Sequence, residues 1–391
     1  MLDCRSDDFF LPRGHHYLNC AYMAPMSRAV EQAGIEGIRA KRTPAAITPA
    51  DFFATNTKLR ATFARLVGVP DANRIAIVAA ASYGLAAAAK NLPFSRGQHV
   101  LALAEQFPSN VYTWRRLAGE KGGSLIQIDP GEGPGRGRRW NDRILEAIGR
   151  DTAIVALPQV HWADGTLFDL ERIGARCRDV GAALVIDGTQ SVGAMPFDVG
   201  SIQPDVLVCA GYKWLLGPYS IGLAYYGPRF DQGTPLEENW ISRRDSDDFA
   251  GLVRYRDEYG PSATRYDVGE RSNFILAPML LAALDLLESW GIDNIQAYCE
   301  TIASPIVEAA LALGYRVEDA ADRGAHLFGL RMPEGTDTES LRDELARRDV
   351  SVSIRGDAIR VAPNVYNDMS DVDALVSGLT AHARTHAPTS V

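Results

Sequence analysis

A lysine at the end of an apolar strand is costly to desolvate, so it usually has a chemical role or a snorkelling route to water. Lys213 holds that place in Val206-Leu-Val-Cys-Ala-Gly-Tyr-Lys-Trp-Leu-Leu-Gly-Pro218, which reads as a buried strand running into a tight turn. Twenty-six positions earlier, Ala182-Ala-Leu-Val-Ile-Asp187 ends a second apolar strand in an acid and continues as Gly188-Thr-Gln-Ser-Val-Gly193. One strand delivering a carboxylate and the next an amine suits a pyridoxal phosphate site. The lysine would form the Schiff base, and the aspartate would hold the ring nitrogen protonated.

These two residues need a scaffold, and the surrounding pattern supplies one. Strand candidates run over 74–80, 99–103, 124–128, 153–157, 183–186, 206–208 and 221–226, with helical patterns over 83–91, 109–121 and 170–180 between them. That alternation predicts an α/β fold with a mostly parallel sheet and crossover helices. Ligands of such sheets sit beyond the carboxyl ends of the strands, where Asp187 and Lys213 both fall. A loop-rich stretch at 227–272 follows, then an amphipathic helix at 278–290. Beyond it, helices near 293–313, 338–347 and 370–383 and strands near 325–331, 351–354 and 358–362 form a smaller α+β unit. The division expected is an N-terminal segment 1–30 packing on the small domain and the site, a large cofactor-binding domain 31–277 and a small domain 278–391. The Gly-rich segment Pro130–Arg139 lacks the G-x-G-x-x-G register, and with Pro134 and its arginines it leads into no apolar helix, so an exposed turn is expected. The tail Thr385–Val391 is expected to fray.

Composition removes other classes. A chain of 391 residues exceeds one typical core, and 46% apolar with 23% charged residues is ordinary for a globular enzyme. A net charge of −9 with mixed signs speaks against nucleic acid and anionic membranes. Five scattered cysteines (Cys4, Cys20, Cys177, Cys209, Cys299) without C-x-x-C spacing support neither a disulfide framework nor a metal site. No apolar signal core opens the sequence, and no run is long enough to span a bilayer. A cytoplasmic location is expected.

The Asp187-Gly-Thr-Gln190 and Gly211-Tyr-Lys-Trp-Leu-Leu-Gly-Pro218 pair resembles the class V aminotransferase family of fold-type I pyridoxal phosphate enzymes. Cysteine desulfurases, kynureninases, C–S lyases and several aminotransferases belong to it. The likeness runs from Tyr17-Leu-Asn-Cys-Ala21 to Arg360-Val-Ala-Pro-Asn-Val-Tyr-Asn367. It implies that Asp187 pairs with the pyridinium nitrogen, its pKa lowered by that cation, and that Gln190 bonds the phenolic oxygen. Ser82 and Tyr83 open a helix suited to the cofactor phosphate, Ser82 serving as ligand, N-cap or both. Tyr212 would reach the phosphate as well, while Ala210 stands where the family commonly has a serine. Ser272 or Arg271 would serve the phosphate of a partner subunit, which implies a homodimer. Phe107 would stack on the pyridine ring. His161 is either a proton shuttle or a packing histidine, and Cys20 is read as a packing thiol. Arg360 would hold the substrate's α-carboxylate, with Asn19 beside it and Arg355 as a less certain neighbour.

The function implied is α-amino-acid chemistry, with transamination foremost because it needs only Lys213 as base and the ring held by Asp187. A β-lyase (C–S lyase or kynureninase-like) is the alternative, with His161 as its assisting acid. Desulfuration ranks below both, since Phe107 replaces the desulfurase histidine and residues 333–360 hold no cysteine. A catalytically silent cofactor-binding regulator is the non-enzyme alternative.

Overall fold

A computed structural model describes residues 2–133 and 135–385. Pro134 and the tail beyond Thr385 lie outside the described residues. Seven short segments build the main sheet: β1 Ile75–Val78, β2 His99–Leu103, β3 Ser124–Ile128, β4 Thr152–Pro158, β5 Ala183–Asp187, β6 Val206–Ala210 and β7 Gly222–Tyr226. Their order is β1-β7-β6-β5-β4-β2-β3. β7 runs antiparallel to both its neighbours, and the other pairs are parallel. β4, β5 and β6 are buried along their whole length, which is why they read as continuous apolar runs without alternation.

Helices pack on both faces and their ends are fixed locally. The helix Leu170–Val180 starts where the Asp169 side chain accepts from the Arg172 amide and stops at Gly181, whose φ is +78°. The helix Arg136–Ala147 overturns the last part of the turn expected at 130–139, from Arg136 on. It buries Trp140 and Ile144 against the sheet, an i, i+4 pair masked in the sequence by the arginines around it. The sequence pattern also passed over the helix Arg28–Ala40, which lies against the helix Leu276–Trp290.

The second sheet consists of β8 Phe328–Arg331, β9 Ser353–Arg355 and β10 Ala358–Val361, all antiparallel, in the order β9-β10-β8. It has its own core around Leu18, Phe328, Leu341 and Leu375. The N-terminal segment crosses to this sheet: His16–Tyr17 pairs in parallel with Val350–Ser351, and the Cys20 amide donates to the Ala362 carbonyl at 3.0 Å. Among the described residues no helix is long and apolar enough to cross a membrane.

One buried acid ties the two sheets together. Asp164, in the turn after β4, accepts from His161 Nδ1 at 2.9 Å, Thr166 Oγ1 at 2.9 Å, Arg136 Nε at 3.0 Å and Arg331 Nη2 at 2.6 Å. Burial alone would raise its pKa, but His161, Arg136 and Arg331 together hold it well below the usual carboxylate range. Arg136 keeps Glu105 and Arg331 keeps Asp357, but the buried His161 Nδ1 and Thr166 Oγ1 lose their acceptor, so Asp164→Ala should cost about 1–3 kcal/mol. Because the folded pKa is depressed, the contribution is present above the unfolded carboxyl pKa and is lost as pH falls through the acid range. Calorimetric melting of wild type and variant between neutral and acid pH checks this, and equal melting temperatures at neutral pH would refute it.

Candidate active site

The turn after β6 is shaped to present one side chain. Gly211 donates to the Ile221 carbonyl at 2.9 Å, and an added Cβ there would lie 2.5 Å from that oxygen, so glycine is required. Gly217 closes the turn onto the Gly211 carbonyl at 2.8 Å, with Leu216 held at a φ of +55°. Between them Lys213 enters a cavity of about 260 Å³ beyond the carboxyl ends of β5 and β6. It is 7% exposed, and its amine lies 5.3 Å from the centre of the Phe107 ring. Burial lowers its pKa to about 8. Asp187 pulls the other way, and Arg360 pushes further down.

Asp187 lines the same cavity and accepts from the Thr189 amide at 3.1 Å. Burial dominates and raises its pKa, with Thr189 and Lys213 opposing. The lowering expected from an adjacent cation is therefore outweighed among the protein's own groups. Gln190 spends one amide hydrogen on the Ala21 carbonyl at 3.2 Å and accepts from Trp214 Nε1 at 2.9 Å, leaving a second hydrogen.

At the opposite wall the helix Ala81–Asn91 begins. Its N-cap is Ala80, in extended backbone and without a side-chain cap, so the expected capping role of Ser82 is not observed. Ser82 is the second helical residue and lines the cavity beside the opening amides. Tyr83 points elsewhere, its hydroxyl donating to Glu237 at 3.1 Å, so it contributes no side chain to the wall. Tyr212 does line it, as do Tyr219 and Ser220. Phe107, 37% exposed, presents its ring to the cavity and meets Trp162 edge-to-face at 5.6 Å.

Of the two readings of His161, its surroundings favour the packing histidine over the shuttle. It is 0% exposed, and its ring nitrogens face Asp164 Oδ1 at 2.9 Å and the Glu105 carbonyl at 3.2 Å. Both are oxygen acceptors, so neither nitrogen is left for a substrate. The cavity lining passes through its neighbours Val160 and Trp162 instead.

Arg360 is 2% exposed and has no carboxylate partner among the described residues. Nη1 donates to the Trp162 carbonyl at 2.9 Å, while Nη2 lies 3.5 Å from Asn19 Oδ1 and 3.4 Å from Ser353 Oγ. Nε has no hydrogen-bond partner among the described residues. Burial and then Arg355 bring its pKa down to about 10. A buried guanidinium with an unused donor is a ready seat for a carboxylate. Cys20 is fully buried and accepts from Asn364 at 3.3 Å, and burial pushes its thiol up to about 11. That is the environment of a packing thiol.

Ser272 and Arg271 lie away from this cavity in their own chain. Ser272 donates to the Phe52 carbonyl, and Arg271 shares Asp267 with Arg60. Four lining or supporting groups escaped the sequence reading: Gln106, Ser220, Thr189 and Ser353. Gln106 adjoins Phe107 and Thr189 sits inside the aspartate motif, so both had a signal. Ser353 reaches Arg360 only through strand pairing, and Ser220 only through a turn with its φ at +67°.

The donor set fits pyridoxal phosphate. An acid for the ring nitrogen, uncapped helix amides for the phosphate, an apolar ring wall and an amine of lowered pKa converge on one cavity. Comparison with known proteins agrees. The chain is 26% identical over 322 residues to the uncharacterized aminotransferase YcbU of Bacillus subtilis (strain 168), covering 82% of this chain and 81% of the other. It is 23% identical over 383 residues to isopenicillin N epimerase of Streptomyces clavuligerus, covering 93% and 94%. Among solved structures, the cysteine desulfurase of Thermococcus onnurineus NA1 shares the fold at a TM-score of 0.83 and 20% identity, covering 98% of this chain and 99% of that one. The family description Aminotransferase class-V matches residues 49–375, and the chain belongs to that family.

Proposed function

We propose that this chain is a pyridoxal phosphate enzyme that removes the Cα proton of an α-amino acid through Lys213 and carries out transamination. What supports the reading is the cavity lining: it holds one amine, Lys213, and one acid, Asp187, with tyrosines as the other ionisable groups. Asp187 would hold the pyridine nitrogen, Gln190 the phenolic oxygen, the amides opening the helix at Ala81 and Ser82 the phosphate, and Phe107 the ring face. When bound, the cofactor supplies an electron sink for the pair left at Cα. Arg360 takes the α-carboxylate, and Asn19 and Ser353 hold the guanidinium in place. Fixing that end selects which Cα bond breaks. Lys213, partly neutral near its lowered pKa, takes the proton and returns it. In a homodimer, Ser272 or Arg271 would serve the phosphate of the second subunit.

Lys213→Ala should abolish the borohydride-reducible link between protein and cofactor. A reduced adduct on another lysine, found by mass spectrometry, overturns the assignment. In the wild type only the neutral amine is nucleophilic, so cofactor capture by apo protein should quicken with rising pH and level off above about 8. A rate still climbing through about pH 10, the ordinary lysine range, would show that burial does not depress the amine.

Arg360→Ala should raise the amino acid concentration needed for half-saturation by an amount corresponding to about 2–5 kcal/mol, while cofactor affinity holds. Equal weakening of both would mark the arginine as structural.

Reaction type is read in a single turnover. Transamination leaves the substrate's amino group on the protein until a 2-oxo acid is supplied. Ammonia released with an oxo acid, and no acceptor present, would assign β-elimination instead.

A further inference from the structure

The small sheet carries a second cation toward the same cavity wall. β9 and β10 pair so that Ser353 lies opposite Arg360 and Arg355 opposite Ala358. Residues two apart on a strand share a face, so Ser353, Arg355 and Arg360 project from one side of the hairpin. Arg355 and Arg360 are diagonal neighbours there, a relation that spaces residues by about 7–8 Å. Both meet the same residue. Arg360 donates to the Trp162 carbonyl at 2.9 Å, and the Arg355 guanidinium lies over the Trp162 ring at 5.6 Å from its centre. Trp162 in turn lines the cavity with Lys213 and Phe107. Arg355 is half-buried and donates to its neighbour's carbonyl, Ile354, at 2.9 Å. Neither guanidinium is ion-paired with a carboxylate among the described residues, and Arg355 disfavours the charge of Arg360. An α-carboxylate satisfies one of them. The second calls for another anion at a fixed distance from the first.

We infer that Arg355 is a specificity residue that binds a second carboxylate, so that the substrate is an α-amino acid with an acidic side chain. The inference rests on the proposed function in taking Arg360 as the α-carboxylate seat. Trp162 sets the geometry by holding one guanidinium with its backbone and flanking the other with its ring. A planar fork at each end of the substrate would fix its length as well as its charge.

The test uses ligands that have no amino group, so its outcome does not depend on chemistry at Lys213. Holoenzyme is titrated calorimetrically with succinate, glutarate and adipate, and with butyrate, valerate and hexanoate. At least one dicarboxylate should bind about 10- to 100-fold more tightly than the monocarboxylates, the range of a charge-assisted hydrogen-bond pair. In Arg355→Gln that ratio should fall toward one, and Arg355→Lys, which keeps the charge without the fork, should give an intermediate value. A ratio near one in the wild type, or one unchanged in Arg355→Gln, overturns the inference. A missing borohydride adduct at Lys213 with the dicarboxylate preference intact would instead sink the proposed reaction and leave this assignment standing.

Discussion

The alignment of the site depends on the buried carboxylate of Asp164. Lys213 and Asp187 come from the large sheet, whereas Arg360 comes from the small one, and no single element carries all three. Asp164 bridges them through His161 on one side and Arg331 on the other. Arg331 ends β8, whose Gly329 pairs with Arg360, so the acid sets where the arginine sits relative to the end of β4. The chain following Asp164 is equally constrained. Gly165 has a φ of +78°, and an added Cβ would fall 2.0 Å from the Leu327 carbonyl. A buried ion cluster of this kind is weak as a source of stability because desolvation offsets much of the attraction. Its value here is geometric: it joins the turn after β4 to the end of β8, and moving the sheets apart would leave a buried carboxylate short of its donors.

That placement concentrates positive charge. Arg360 and Arg355 both act on Lys213, whose cavity is lined by one acid, Asp187, and burial lowers the pKa of both Lys213 and Arg360. The folded protein therefore carries an electrostatic penalty that anionic ligands relieve. A cofactor phosphate and substrate carboxylates meet that condition; uncharged ligands do not. Affinity and preorganisation come from the same source, since the donors are already fixed by Trp162, Asn19 and Ser353.

The elements legible in the sequence are those whose physics is local. β4, β5 and β6 are buried on both faces, and Asp187 and Lys213 stand out because they end such runs. What stayed hidden depends on partners distant in the chain. His161 keeps a motif register that suits a shuttle, yet the Glu105 carbonyl lies 56 positions away and occupies its second nitrogen. Tyr83 follows Ser82 into the helix but is drawn off by Glu237. The helix Arg136–Ala147 was obscured because arginines cover three of its first four positions and leave a narrow apolar stripe. Arg355 and Ser353 gain meaning only once the β9–β10 register puts them on one face with Arg360.

The proposed reaction type draws on the same accounting of groups. With His161 committed to Asp164 and Glu105, the cavity lining among the described residues offers Lys213 as its one amine, beside Tyr212 and Tyr219 and without a histidine. The fate of the electron pair at Cα is then decided largely by what the substrate carries at Cβ. Thiol-type substituents leave readily; a methylene bearing a carboxylate does not. A pocket with the two carboxylate seats inferred at Arg360 and Arg355 would disfavour elimination through its choice of substrate, without any group that blocks it. In the proposed reaction Lys213 would return the proton away from Cα, the step that would separate transamination from simple exchange. Charge selection by Arg355 and proton handling by Lys213, as proposed, would thus act on the same outcome from opposite ends of the substrate.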